Sequence, residues 1–177
     1  VFLSLKVTAM QTVSNALQTR PADLLGRVIG LFQSLNAGLD ALQPAAALLA
    51  RAYVAEAFFK SGLTKLRDWD ITLALFQDDY KVPLLPPEVA AVMGTGGELV
   101  LPVLLLLGLG GRFGALGLSV MNGVAVLSLA EIAPAALQQH ITWGVLLAGV
   151  AVFGSGRWAL DQWAARRWPL LARPKHA

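Results

Sequence analysis

There is no cysteine in these 177 residues and there are only two histidines, His140 and His176. The first absence excludes disulfides, thiol catalysis, iron–sulfur clusters and CxxC redox chemistry carried by this chain alone. The second argues against a haem held by two histidines in a helical core, because His176 lies in a polar tail. Charge is also scarce. Only 14% of residues are charged, against about 25% in an ordinary soluble domain. The net charge of +3 gives no sign of a nucleic-acid partner. What remains is apolar: 56% of residues are hydrophobic and the mean hydropathy is +0.61. Their arrangement in blocks predicts an all-α integral membrane protein with the bilayer as its first partner.

Residues 1–19 place Phe2, Leu5, Ala9, Val13 and Leu17 near helical spacing, but Lys6, Gln11, Asn15 and Gln18 make them too polar to span. They read as an amphipathic helix. They do not read as a signal peptide, since Lys6 interrupts the apolar stretch and no small-residue cleavage site stands out. Pro21 opens a second helix, on which Leu25, Val28, Phe32, Leu35, Leu39 and Leu42 step by three and four along one face. Such a helix lies in the membrane interface or packs on a partner. Four hydrophobic blocks follow, near residues 45–66, 89–109, 113–130 and 141–153. Each approaches the roughly 20 residues that cross the hydrocarbon core as a helix; the last needs its flanks, 138–156, to do so. The expected fold is a four-helix membrane bundle with an N-terminal amphipathic helix. Residues 1–44 would form the interfacial part, 45–156 the four spans, and 157–177 a basic tail.

Between the first two blocks, Trp69, Leu73, Phe76 and Tyr80 recur at helical spacing, which predicts a short helix in the first outer loop. Pro83, Pro86 and Pro87 stop it, and Pro87 suits the first turn of the next helix. Arg112 in the second connection and Arg157, Arg166, Arg167, Arg173 and Lys175 in the tail contrast with a third connection free of Lys and Arg. By the positive-inside rule both termini are cytoplasmic. Lys65, Arg67 and Lys81 in the first connection count against that orientation.

Several polar groups fall within these blocks. A charge near the bilayer centre costs about 2.5–3.5 kcal/mol on insertion scales, so such groups face the bundle interior and find partners. Glu56 and Lys60 are four apart and suit an ion pair. Glu98 and Asn122 fall near the middle of the second and third spans, and His140 opens the fourth. Glu56, Lys60, Glu98, Asn122 and His140 are therefore the candidate site, a polar cluster opening outward. One reading is a salt bridge of Lys60 with Glu56 or Glu98 that only fixes packing. The other is a pocket or proton path; snorkelling of Lys60 is a third. His140 with carboxylates alone makes no metal site. Glycines such as Gly94, Gly97, Gly117 and Gly144 allow close helix approach or an oligomer interface.

The order of FFKSGLTKLRDW, LFQDDYKVPLLPPEVA, GTGGELVLPVLLLLGLGGRFGALGL, MNGVAV, HITWG and GRWALD resembles the DoxX family of small bacterial and archaeal membrane proteins. An F-x-x-G-x-x-K-L core falls on Phe59, Gly62, Lys65 and Leu66. An E-L-x-x-P run falls on Glu98, Leu99 and Pro102 and continues to Gly108. The resemblance implies four membrane helices in a bacterial inner membrane. It also implies an accessory role in a redox complex, with a non-covalently held quinone as the cofactor to consider. The proline-rich loop and SGLTKL look most like proteobacterial relatives encoded beside modified metal-binding peptides. No residue set matches a catalytic motif, so a non-catalytic subunit is expected, partnered by other membrane subunits or by itself. The competing functions are a small-molecule or metal-linked export component working as an oligomer, and a structural scaffold.

Overall fold

A computed structural model describes the backbone of residues 21–168 and the side chains from Leu24 onward. The predicted helix over 1–19 and the end of the basic tail lie outside the described residues. Among the described residues there are six helices and no strand: α1 (Pro21–Arg67), α2 (Trp69–Asp78), α3 (Pro87–Leu107), α4 (Gly111–Ser128), α5 (Pro134–Phe153) and α6 (Leu160–Arg167). The chain divides into two units, Val1–Leu42 and Gln43–Ala177.

In the first unit every side chain from Leu24 to Leu42 is exposed, the stripe of Leu25, Val28, Phe32, Leu35, Leu39 and Leu42 included. α1 is one helix of 47 residues with Pro44 inside it. An internal proline removes one backbone hydrogen bond and costs about 3 kcal/mol. The alanine- and leucine-rich sequence on both sides favours helix strongly enough to run through it.

The second unit is built around one core. Val54 and Phe58 from α1 meet Leu105 from α3, Ala115 and Leu118 from α4, and Leu147 and Val150 from α5. Four helices thus share a single buried centre, and apolar side chains also cover their outer faces. α3 and α5 are long and apolar enough to cross a membrane, with mean hydropathies of 1.9 and 1.3. Only 28% and 11% of those windows are buried inside the chain, so their apolar surface points outward, as lipid contact requires. α1 carries Arg51, Glu56, Lys60 and Lys65 in its second half, and α4 carries Arg112 and Asn122. Neither passes the same test of length and composition, so two candidate spans are found where four blocks were expected.

The connections are made by specific residues. Asp68 caps α2, its carboxylate accepting from the Ile71 N–H at 3.0 Å. The expected short helix therefore forms over Trp69–Asp78. It is held down by the Thr72 hydroxyl, which donates to the Lys65 carbonyl at 2.7 Å, and by a small core of Phe76, Ala90 and Ala91. The proline loop is pinned to the end of α4, where the Lys81 N–H donates to the Ser128 carbonyl at 2.9 Å. α3 ends on Gly108 at φ 68°, with Gly108 N–H on Leu105 O and Leu109 N–H on Leu104 O, the pairing of a Schellman cap. A Cβ on Gly108 would lie 2.5 Å from that of Ala159, so glycine is required there on two counts.

Candidate functional site

The face of α1 that enters the core repeats at three and four residues: Arg51, Val54, Phe58, Ser61 and Lys65. Val54 and Phe58 pack in the centre, and Arg51 and Lys65 are carried inward at either end of the same seam. Lys60 is five residues from Lys65, about 140° around the helix, and points away.

Lys65 therefore reaches Glu98 of α3. Its ammonium lies 2.6 Å from Glu98 Oε2 and 2.9 Å from Oε1, and 2.9 Å from Ser61 Oγ. Both charged side chains are largely buried, at 11% and 14% exposure. The pair stands at the polar end of a cavity of about 330 Å³, at the small end of the roughly 300–1,000 Å³ of ligand pockets. Phe76, Met93, Gly94, Val120, Met121 and Val124 line its apolar part. Its polar side chains are Lys65, Glu98, Tyr80 and Ser128. The Ser128 hydroxyl is already bonded, donating to the Val124 carbonyl at 2.6 Å. Burial, and then the negative charges of Glu98 and Asp79, raise the Tyr80 phenol above its ordinary range. Met93 and Val120 are well exposed while lining the cavity, so it opens sideways between α3 and α4.

The other candidate residues form two further pairs. Glu56 and Lys60 bond to each other at 2.6 Å on the outer face of α1, with side chains 61% and 71% exposed. Asn122 and His140 bond across α4 and α5: Asn122 Nδ2 donates to the His140 carbonyl at 2.9 Å, and Asn122 Oδ1 lies 2.7 Å from His140 Nδ1. With the amide nitrogen committed as donor, Oδ1 is the acceptor, so His140 carries its proton on Nδ1. Its ring stacks edge-on against Trp143, which meets Phe58 the same way. The five residues are thus distributed over three pairs: of the two partners the sequence offered Lys60, Glu56 is the one it meets, and Glu98 pairs with Lys65. Among the described residues no group of three or more His, Asp or Glu side chains is placed to hold a metal.

Two participants were not among the candidate site residues. Lys65 had been counted with the first connection and as the lysine of the F-x-x-G-x-x-K-L core. Arg51 is fully buried. Its guanidinium donates to Leu106 O at 3.0 Å, Leu105 O at 3.4 Å, Ala47 O at 3.3 Å and Trp158 O at 3.5 Å. It closes the exposed carbonyls at the end of α3 and ties them to the segment before α6. The three-four seam through Val54 and Phe58 was the signal that would have found both residues.

The stretch that holds the cavity and its ion pair is also the stretch that known proteins share. The DoxX family model matches residues 46–131. An uncharacterised protein of Haemophilus influenzae is 36% identical over 86 residues, 46% of this chain and 55% of the relative. The chain therefore spans about half the length of that relative. No solved structure matches. The matched segment contains Arg51, Lys65, Glu98 and Asn122 and ends just before α5, so the framework of the cavity lies inside it. Residues 46–131 form a DoxX domain.

Proposed function

We propose that this chain is a non-catalytic subunit of a membrane redox complex and that its cavity contacts a quinone. The observation that carries the reading is an apolar cavity ending on the buried Lys65–Glu98 pair. A lipid-soluble ring needs apolar walls and one or two hydrogen-bonding groups to orient it, and the sideways opening gives access from the bilayer. In this reading the second half of α1, with α3, α4 and α5, crosses a bacterial inner membrane as a four-helix bundle. Both termini are cytoplasmic. The Glu56–Lys60 pair supports a partner subunit. Left against lipid, two charges on an outer face are costly; a neighbouring chain covers them.

Purification of the full chain from membranes in mild detergent, followed by mass spectrometry of bound proteins and extracted lipids, tests this. Redox subunits or a quinone in stoichiometric amount are the expected result. Neither of them, with the chain alone as a homo-oligomer, overturns it and turns the exposed pair into support for an oligomeric export component. Non-redox membrane partners without a quinone would indicate a scaffold.

A further inference from the structure

The polar end of the cavity is asymmetric in its hydrogen bonding. Lys65 has three N–H donors, and three acceptors surround it: Ser61 Oγ and the two oxygens of Glu98. The Ser128 hydroxyl donates to Val124 O. Two of the three polar side chains that can donate into the cavity are therefore already engaged, and Tyr80 remains. Glu98 is different. An ionised carboxylate offers about four lone-pair sites, and Lys65 occupies one on each oxygen. The remaining sites are acceptors only. A carbonyl head placed there sets its own lone pairs against a carboxylate, whereas a hydroxyl head donates to it in a charge-assisted bond. Tyr80 can donate or accept and serves either head, so it does not discriminate.

We infer that the cavity selects an amphiphile whose polar head donates a hydrogen bond to Glu98, a phenol- or hydroquinone-type hydroxyl, over a head that only accepts. This rests on the reading that the cavity holds an amphiphilic ring. Of the two redox forms of a quinone, the hydroxyl-bearing one is then the tighter ligand. The walls set the rest of the molecule: one ring or a short chain against Phe76, Met93 and Val120, entering from the side where Met93 and Val120 are exposed.

The test uses the full chain in nanodiscs, titrated by calorimetry with para-heptylphenol and with its methyl ether, against empty nanodiscs. The two probes share ring and chain and differ in whether the oxygen carries a proton or a methyl group. A bond to a charged acceptor predicts a preference of at least about 10-fold for the phenol. Glu98→Gln is expected to bring the two affinities together. Val120→Trp fills the cavity from its exposed edge without touching the ion pair, and is expected to weaken both. Equal affinities in the wild-type chain, or a tighter ether, overturn the inference while leaving the cavity reading standing. Failure of both probes in the wild-type chain overturns both. Should Glu98→Gln not fold, the wild-type preference and its response to Val120→Trp decide the matter, since a preference that survives filling the cavity arises elsewhere.

Discussion

Lys65 and Glu98 are 33 residues apart and lie on different helices, yet they form the only ion pair among the described residues with both side chains largely buried. Removing one partner leaves the other charge without compensation, which typically costs about 3–5 kcal/mol. Glu98→Gln and Lys65→Met are each expected to lower the unfolding midpoint in detergent markedly. The double substitution should lose less than the sum of the two. A double-mutant cycle measures this, and additive losses would mean the pair is not coupled. Glu56→Gln, on the exposed pair, is expected to leave the midpoint of the isolated chain in place.

Arg51 presents a different case, because its partners are backbone carbonyls and not acids. Arg51→Met leaves Leu106 O without its side-chain donor, while Leu105 O keeps the Gly108 N–H. A buried polar group without a partner costs about 1–3 kcal/mol. Arg51→Lys restores the charge but not the planar fork that spans two helices, so it should recover only part of the loss. Full recovery in lysine's unfolding curve would assign Arg51 a role in charge alone.

The Asn122–His140 bond makes a spectroscopic prediction. Nitrogen-15 shifts of the His140 ring should report a proton on Nδ1 in the wild-type chain. Asn122→Leu should destabilise the fold and release that preference. A proton on Nε2 in the wild type would require the Asn122 amide to point the other way.

Tyr80 predicts a pH dependence. Its phenol is raised from an ordinary value of 10.0, first by burial and then by Glu98 and Asp79. The folded state holds that proton more tightly than the unfolded state does. The corresponding stability is complete below the ordinary value and is lost as pH rises through the folded-state value. With Tyr53 replaced by Phe, Tyr80 is the one tyrosine left, and its absorbance should titrate late. Glu98→Gln should lower the midpoint only in part, because burial remains. A titration at or below 10.0 contradicts the buried environment.

Leu84 sits at φ 65°, a left-handed conformation that leucine rarely takes, in the loop that closes the cavity. The conformation costs a non-glycine residue about 1–2 kcal/mol. Leu84→Gly relieves it at the expense of about 0.5–1 kcal/mol of chain entropy. A small rise in the thermal midpoint is expected. A fall would show that the exposed side chain itself contributes.

Much of this was legible in the sequence, because hydrophobic blocks, prolines and glycines act locally. Pro87 starts a helix as read and Gly108 ends one, and the aromatic spacing between the first two blocks announced α2; Pro134, which starts α5 ahead of the expected fourth block, had not been singled out. Pairing across helices was harder. Glu56 and Lys60 were placed together correctly because four residues along one helix fix their distance. Which lysine meets Glu98 depends on the face of α1 that turns inward, and hydropathy alone ranks Lys60 and Lys65 alike. The spacing of Arg51, Val54, Phe58, Ser61 and Lys65 contained the answer, but only once Val54 and Phe58 were known to be core. Pro44 shows the opposite limit: a strong local breaker that its helix-forming neighbours override.

The contacts of Arg51 also bear on how the chain is made. Its partners Leu105, Leu106 and Trp158 come 54, 55 and 107 residues later. During synthesis the guanidinium emerges with only the Ala47 carbonyl of its own helix to bond. If α1 crosses the membrane as proposed, an unpaired arginine resists burial in lipid, and α1 should settle at full depth only after α3 has emerged, and lock only when Trp158 arrives. A nascent chain stalled before α3 would leave Arg51 reachable by water-borne reagents, whereas one released after Trp158 would shield it. The order of insertion would then follow the order in which carbonyls become available, with the helix made first being the last to be secured.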